Sequence, residues 1–306
     1  MKRKPQASAS RARLQVLAAA DAKKFRELVG EMLASPQRLD REAALEALVE
    51  RPDSELRLGL RDLYFALNAD GIKRDQGAIQ RIAIIKVLRS IRDSRDVDVG
   101  VAAIDAREVA FGEDIAWELR VHGLLLLAEI APDVFPYYAI EHLDDMAGPE
   151  ESEPASTAFQ LLAGTGNDVA LYQWLLRSPG GETAQRVFEL FIEKAPPEIV
   201  QRYATSALTI AIKREDDALC TVLVESIVRL ELQACYPALA AMMFAKISDE
   251  LYAYAGMLLA GTNRTPLLAI LEDQLHRGRR PKLIAEALRV RNTPEQEAIL
   301  QRWEDG

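Results

Sequence analysis

Four arginines set the frame of this chain. Arg41 opens the run REAALEALVE, Arg81 opens RIAIIKVLRS, Arg120 opens RVHGLLLLAEI and Arg186 opens RVFELFIEK. Each run closes on a turn rich in Pro, Asp or Glu: Arg51-Pro52-Asp53, Ser94-Arg95-Asp96, Ala131-Pro132-Asp133 and Ala195-Pro196-Pro197-Glu198. The arginines are 40, 39 and 66 residues apart, and the last interval holds two units of about 33. The intervening unit is Thr157–Gly164, with its turn at Gly166-Asn167-Asp168. A unit of this length cannot bury its own apolar face, so copies of it must stack.

The period inside each run is helical. In Asp40–Glu50, Ala44, Leu45, Leu48 and Val49 share one face at i, i+3 and i+4 spacing. Ala, Leu, Glu and Arg, all strong helix formers, dominate, and sustained strand-like alternation is absent. The turn residues fit the start of a second helix, because Asp, Asn or Glu accepts from its unpaired N–H groups and Pro needs none. Later units continue the series: Ala218–Leu230 with a helix near Pro237–Ser248, Leu251–Ala260 with Thr265–His276, and Lys282–Val290 with Glu295–Trp303. The sequence therefore predicts an all-α chain of about seven to eight antiparallel helix pairs.

Paired helices with an Arg at the start of the first and Pro/Asp between the two resemble HEAT-like and armadillo-like repeats, over about Asp40–Trp303. The resemblance implies a right-handed α-solenoid whose second helices line a concave wall. The period is ragged, about 29 to 40 residues, and several units lack the Arg. Residues 1–10 are expected as a disordered basic tail and 11–306 as one domain, with residues up to 39 forming a cap or extra pair. Gly71–Gly77 reads as an enlarged loop, and Asp144–Ser156 (DDMAGPEESEPAS) as an acidic hinge.

Charge is the best functional lead. The net charge of -9 hides a polarity: residues 1–41 carry ten Lys/Arg and four Asp/Glu, and residues 274–306 seven and five. The stretch between them carries 21 and 38. Between Arg120 and Arg177 there are nine acids and no Lys or Arg. An acidic centre repels a phosphate backbone and attracts a basic protein. Tyrosines recur on second helices, Tyr137 four residues after Asp133 and Tyr172 four after Asp168. The candidate partner-binding residues are thus Tyr137, Glu141, Asp144, Asp145, Tyr172 and Trp174, on the concave wall.

The alternative reading uses the basic ends, above all Arg277, Arg279, Arg280 and Lys282, as a nucleic-acid or DNA-repair surface. HEAT-like glycosylases and HEAT-like hydroxylases offer enzymatic precedents, but the former need a basic stripe, and no His-Glu dipeptide supplies the latter's ligands. No phosphate loop, nucleophile elbow or Cys–His pair stands out, so the chain is expected to be a non-catalytic scaffold with no cofactor and no metal site. Cys220 and Cys235 are expected as buried free thiols. The longest mainly apolar run, Cys235–Ala245, is too short to span a membrane and no secretory leader is read at the start, so the expected location is cytoplasmic.

Overall fold

The computed structural model describes residues 21–146, 153–177 and 181–305. The basic tail at 1–10 and the middle of the acidic stretch, 147–152, lie outside them. The described residues fall into two compact units, one through Thr165 and one from Gly166. Apart from one small hairpin, both are built of helices. Among the described residues no helix is long and apolar enough to cross a membrane.

The first unit contains α1 (Ala22–Leu33), α2 (Arg38–Glu50), α3 (Arg57–Asn68), α4 (Ile79–Ile91), α5 (Val97–Ile104), α6 (Trp117–Ile130), α7 (Phe135–Glu141) and α8 (Ala155–Gly164). Local chemistry explains the boundaries. Asp21 caps α1 by accepting from the Lys23 and Lys24 amides at 3.1 Å. Asp53 and Asp93 do the same for the short 3-10 turns ahead of α3 and α5. Phe25, Val29, Met32 and Leu33 of α1 are buried, one helical face. On α2 the buried residues are Ala43, Ala44, Leu45 and Leu48, while Val49, expected on that face, is largely exposed. Two files of packing run through the unit: α2 on α4, α4 on α6 and α6 on α8, beside α1 on α3 and α3 on α5. Each helix therefore finds its neighbours within the next two.

The second unit repeats the scheme with α9 (Asp168–Arg177), α10 (Gly181–Ile192), α11 (Pro197–Arg214), α12 (Asp217–Arg229), α13 (Tyr236–Phe244), α14 (Asp249–Thr262), α15 (Thr265–Arg277), α16 (Pro281–Arg291) and α17 (Pro294–Glu304). Here α10, α12, α14 and α16 pack in one file and α11, α13, α15 and α17 in the other. Proline occupies the first turn of α11, α13, α15, α16 and α17, where no N–H partner is needed. The break expected between Leu251–Ala260 and Thr265–His276 is shorter than read: α14 runs through Thr262, and Asn263 ends it in the left-handed conformation. Cys220 and Cys235 are buried free thiols, and burial, then Asp217 and Asp216, push the Cys220 thiol up to about 12.

The repeat interval in the sequence is also the interval between bonded partners. Arg41 Nε donates to Gln80 Oε1 at 2.8 Å, and Arg57 Nε to Asp96 Oδ2 at 3.0 Å, each 39 residues on. In the second unit Arg264 Nη1 donates to the Val228 carbonyl at 3.0 Å and Gln296 Nε2 to the Ala260 carbonyl at 2.7 Å, both across 36 residues. Polar rungs of this kind lock the register between successive helix pairs.

Two of the four opening arginines are fully buried. Arg81 pairs with Asp75 at 3.2 Å and Glu108 at 2.6 Å. Arg120 pairs with Asp114 and Asp145, both at 2.8 Å. Arg186, by contrast, is exposed on α10. The segment read as a loose loop at Gly71–Gly77 is the site of the first pair. It folds into a helical turn, Gly71–Arg74, and a 3-10 turn, Gln76–Ala78. This tucks Asp75 beneath α4, where its carboxylate also accepts from the Gln80 and Arg81 amides at 3.0 and 2.9 Å. The loop reading fails because a buried cation needs its counter-ion, and only a folded turn delivers it.

A second departure is a β-hairpin, Val109–Ala110 with Glu113–Asp114, where no strand was expected. Phe111 and Gly112 form its two-residue turn with φ of 56° and 87°. The base is held by the Arg120–Asp114 pair and by the Ile115 amide on the Glu108 carbonyl at 2.8 Å, leaving Phe111 99% exposed.

Candidate functional site

The face that best matches the expected binding surface is the outer side of α7. Phe135 and Ala139 turn inward and are buried. Val134, Tyr137 and Ile140, at i, i+3 and i+6, therefore point to solvent, and Tyr137 is 73% exposed. Asp133, Glu141 and Asp144 are exposed around this stripe. An amphipathic ring beside aliphatic groups within an acidic rim suits a protein contact, because Tyr offers apolar area and a hydroxyl at low entropic cost.

The end of α7 is pinned from beneath by Asp145, which the sequence placed in the same patch. Arg120 Nε and Nη2 grip its two oxygens at 2.8 and 3.0 Å, and Arg107 Nη2 and His142 Nδ1 reach the same Oδ2 at 3.1 Å. Burial alone would raise the Asp145 pKa. The His142 and Arg120 hydrogen bonds, with the charges of Arg120 and Arg107, outweigh it and hold the carboxyl down at about 2. Asp145 is thus an internal counter-ion and not an open contact, a correction to the sequence reading. Its neighbour Asp144 stays exposed at the surface. His142 is buried, with Nδ1 held against Asp145.

The flanks of the expected hinge at 144–156 are joined: the Ala155 amide donates to the Asp145 carbonyl at 2.9 Å, and Met146 bridges Pro154. Residues 147–152 between them lie outside the described residues.

Tyr172 and Trp174 lie on α9 in the second unit, Tyr137 on α7 in the first. Trp174 is 3% exposed, a core side chain, so it is not a surface anchor. Leu171, Trp174 and Leu175, at i, i+3 and i+4, form the buried face of α9. Tyr172 is half-buried in an aromatic cluster, stacked on Phe191 at 5.6 Å and edge-on to Tyr203 at 6.3 Å.

The basic run on α15–α16 is likewise divided. Arg280 lies 5.5 Å over the Tyr252 ring, donates to the Ile247 carbonyl at 3.2 Å and pairs with Asp249, which fastens α16 to the start of α14. Arg277 pairs with Asp273 one turn back on its own helix. Arg279 and Lys282 are exposed. Two of the four cations are therefore already neutralised by the fold.

Sequence reasoning missed Asp75, Glu108 and Asp114, the acids that receive the buried arginines. The signal was faint: each sits in an irregular connection whose length varies from unit to unit. No family model, curated protein or solved structure matches this chain.

Proposed function

We propose that the protein is a non-catalytic α-solenoid scaffold of the HEAT-like kind that binds a protein with a basic surface. The solenoid reading is supported by the packing of each helix on the next and next but one inside both units. One observation carries the binding reading: Val134, Tyr137 and Ile140 form an exposed apolar stripe on α7 beside Asp133, Glu141 and Asp144. Exposed apolar groups ringed by like charge are the composition of a docking surface with a charge preference.

The test is a triple variant, Tyr137→Ala with Glu141→Lys and Asp144→Lys, used in pull-down against the unaltered protein. Asp145 is left intact, because replacing it removes one of the two carboxylates that pair with the buried Arg120 and perturbs the fold. Partner recovery should drop at least tenfold with the melting temperature unchanged. Equal recovery of the same partners removes α7 as the surface.

A further inference from the structure

Each unit carries a groove across its first file of helices, and five lining positions of the two grooves correspond. In the first unit a groove of about 450 Å³ lies across α2, α4 and α6, and a second of about 420 Å³ continues it along α2 and α4, sharing Glu46, Ile79 and Ala83. In the second unit a groove of about 520 Å³ lies across α10, α12 and α14. Glu46, Glu50, Ile79, Ala83 and Lys86 of the first become Glu189, Glu193, Val222, Ser226 and Arg229 of the second when each number is raised by 143. The local sequences agree in kind: Glu46-Ala47-Leu48-Val49-Glu50-Arg51 against Glu189-Leu190-Phe191-Ile192-Glu193-Lys194. The correspondence holds although α3 has 12 residues and α11 has 18 between the two walls.

The chemistry of the two grooves also agrees. One wall presents two glutamates a single helical turn apart, Glu46 and Glu50 or Glu189 and Glu193. The opposite wall presents one cation, Lys86 or Arg229. A third acid lies on each rim at a different place, Glu118 on α6 in the first groove and Glu225 on α12, one turn before Arg229, in the second, so each groove is lined by three carboxylates and one base. Between the walls lie apolar groups, Val49, Ile79 and Ile82 in one and Val222 and Leu258 in the other.

We infer that each unit holds a groove for a basic amphipathic α-helix of a partner protein, two such helices per chain. Lys or Arg side chains at i and i+4 of that helix meet the glutamate pair, and its apolar stripe lies on the floor between the walls. Charge complementarity selects this occupant, since each rim carries a net excess of two negative charges around an apolar strip. The inference deepens the scaffold reading and rests on it, but uses a surface separate from α7.

The test is calorimetric titration of the full chain with a capped four-turn helical peptide of Leu and Lys, and with the same peptide carrying Glu for Lys. The Lys peptide should bind at two sites per chain at low ionic strength and weaken steeply with salt, and the Glu peptide should not bind. Glu46→Gln with Glu50→Gln should leave one site, and adding Glu189→Gln with Glu193→Gln should weaken the remaining site at least tenfold. These glutamates are exposed, so helicity and melting should stay as in the parent. Binding that survives the fourfold variant, equal binding of both peptides, or no binding by the unaltered chain overturns the inference. So does a dimer of the chain that the Lys peptide dissociates, because the groove then belongs to a second copy. The α7 triple variant separates the two readings. It should keep both peptide sites, and loss of pull-down with no peptide sites in any variant sinks the grooves while sparing α7.

Discussion

His122, on α6, sits where a positive charge is costly. Its Nδ1 is buried and has no hydrogen-bond partner among the described residues. Burial first, then the charges of Lys86 and Arg89, lower its pKa from 6.5 to about 4. Glu118 Oε1 stands 3.7 Å from Nε2, beyond hydrogen-bond reach, and its half-exposed carboxylate is screened, so it offsets little of this. The unfolded chain takes up the proton near pH 6.5 and the folded chain only near 4. Between those values the unfolded state binds more protons, so stability falls as the pH drops through 6.5 and this loss levels off near 4, by roughly 3 kcal/mol in all. Asp145 works in a lower window: its depressed pKa contributes stability above 3.8 that is lost as pH falls to about 2. We predict that His122→Gln abolishes the upper loss and leaves the lower one. Urea unfolding at neutral pH and near pH 4 reads this directly, and an equal loss in both proteins would place the acid sensitivity elsewhere. At this scale the sequence showed the opening arginines but not their burial. Arg81 and Arg120 look like the exposed Arg186 in a linear reading, because the acids that draw them inward come from turns with no fixed spacing.

Helices were the legible elements, since long 3.6-residue periods and Pro-marked starts repeat along the chain. The hairpin was not legible. Its strands have two residues each, too short for alternation, and its turn is Phe-Gly in place of the usual Asn-Gly or Asp-Gly. Phe111 adopts a left-handed φ that a bulky side chain disfavours, so the buried pairing of Asp114 with Arg120 must hold it there. The α5–α6 crossing was equally hidden, because it rests on two glycines, Gly100 and Gly123, whose contacts no local pattern reveals. They permit close approach: a Cβ on Gly123 would stand 2.9 Å from Ala103 Cβ and Ile104 Cγ2, and one on Gly100 would stand 2.7 Å from Leu127 Cδ2. Ala at Gly123 gains about 1 kcal/mol in helix propensity but drives α5 and α6 apart at a cost of about 1–3 kcal/mol. The carbonyl of Gly100 at 3.1 Å belongs to backbone and cannot rotate away, so the clash outweighs the gain. Gly123→Ala should lower stability by up to about 2 kcal/mol in denaturant unfolding, whereas Gly59→Ala, with open space around its Cβ, should be neutral or stabilising. A stable Gly123→Ala would mean that the crossing is looser than its glycines indicate.

Across the whole molecule, the charge polarity read from the sequence acquires two different meanings. Part of the acidic excess is structural, spent on Arg57, Arg81 and Arg120 in the interior. Other acids stay at the surface, among them those on α7 and along the two grooves, and the sequence could not separate the shares because both occur in the same runs. The same architecture limits how far a perturbation travels. Inside each unit the helices pack on those one or two places along, and the buried ion pairs lie inside the first unit, so destabilisation should decay with distance along the chain. Asp75→Asn supplies the test. It keeps a side-chain acceptor for one of the two α4 amides, turns an NH2 toward the other, and removes one of the two carboxylates that face Arg81. Glu108 remains, so the cost should be about 2–3 kcal/mol, less than the 3–5 of a fully broken buried pair. Amide hydrogen exchange should quicken in α3 and α4, which meet at this pair through Asn68 and Arg81, and in α6, which packs on α4, while α12, α14 and α16 keep their protection. Uniform quickening along the chain would show that the two units unfold as one cooperative body.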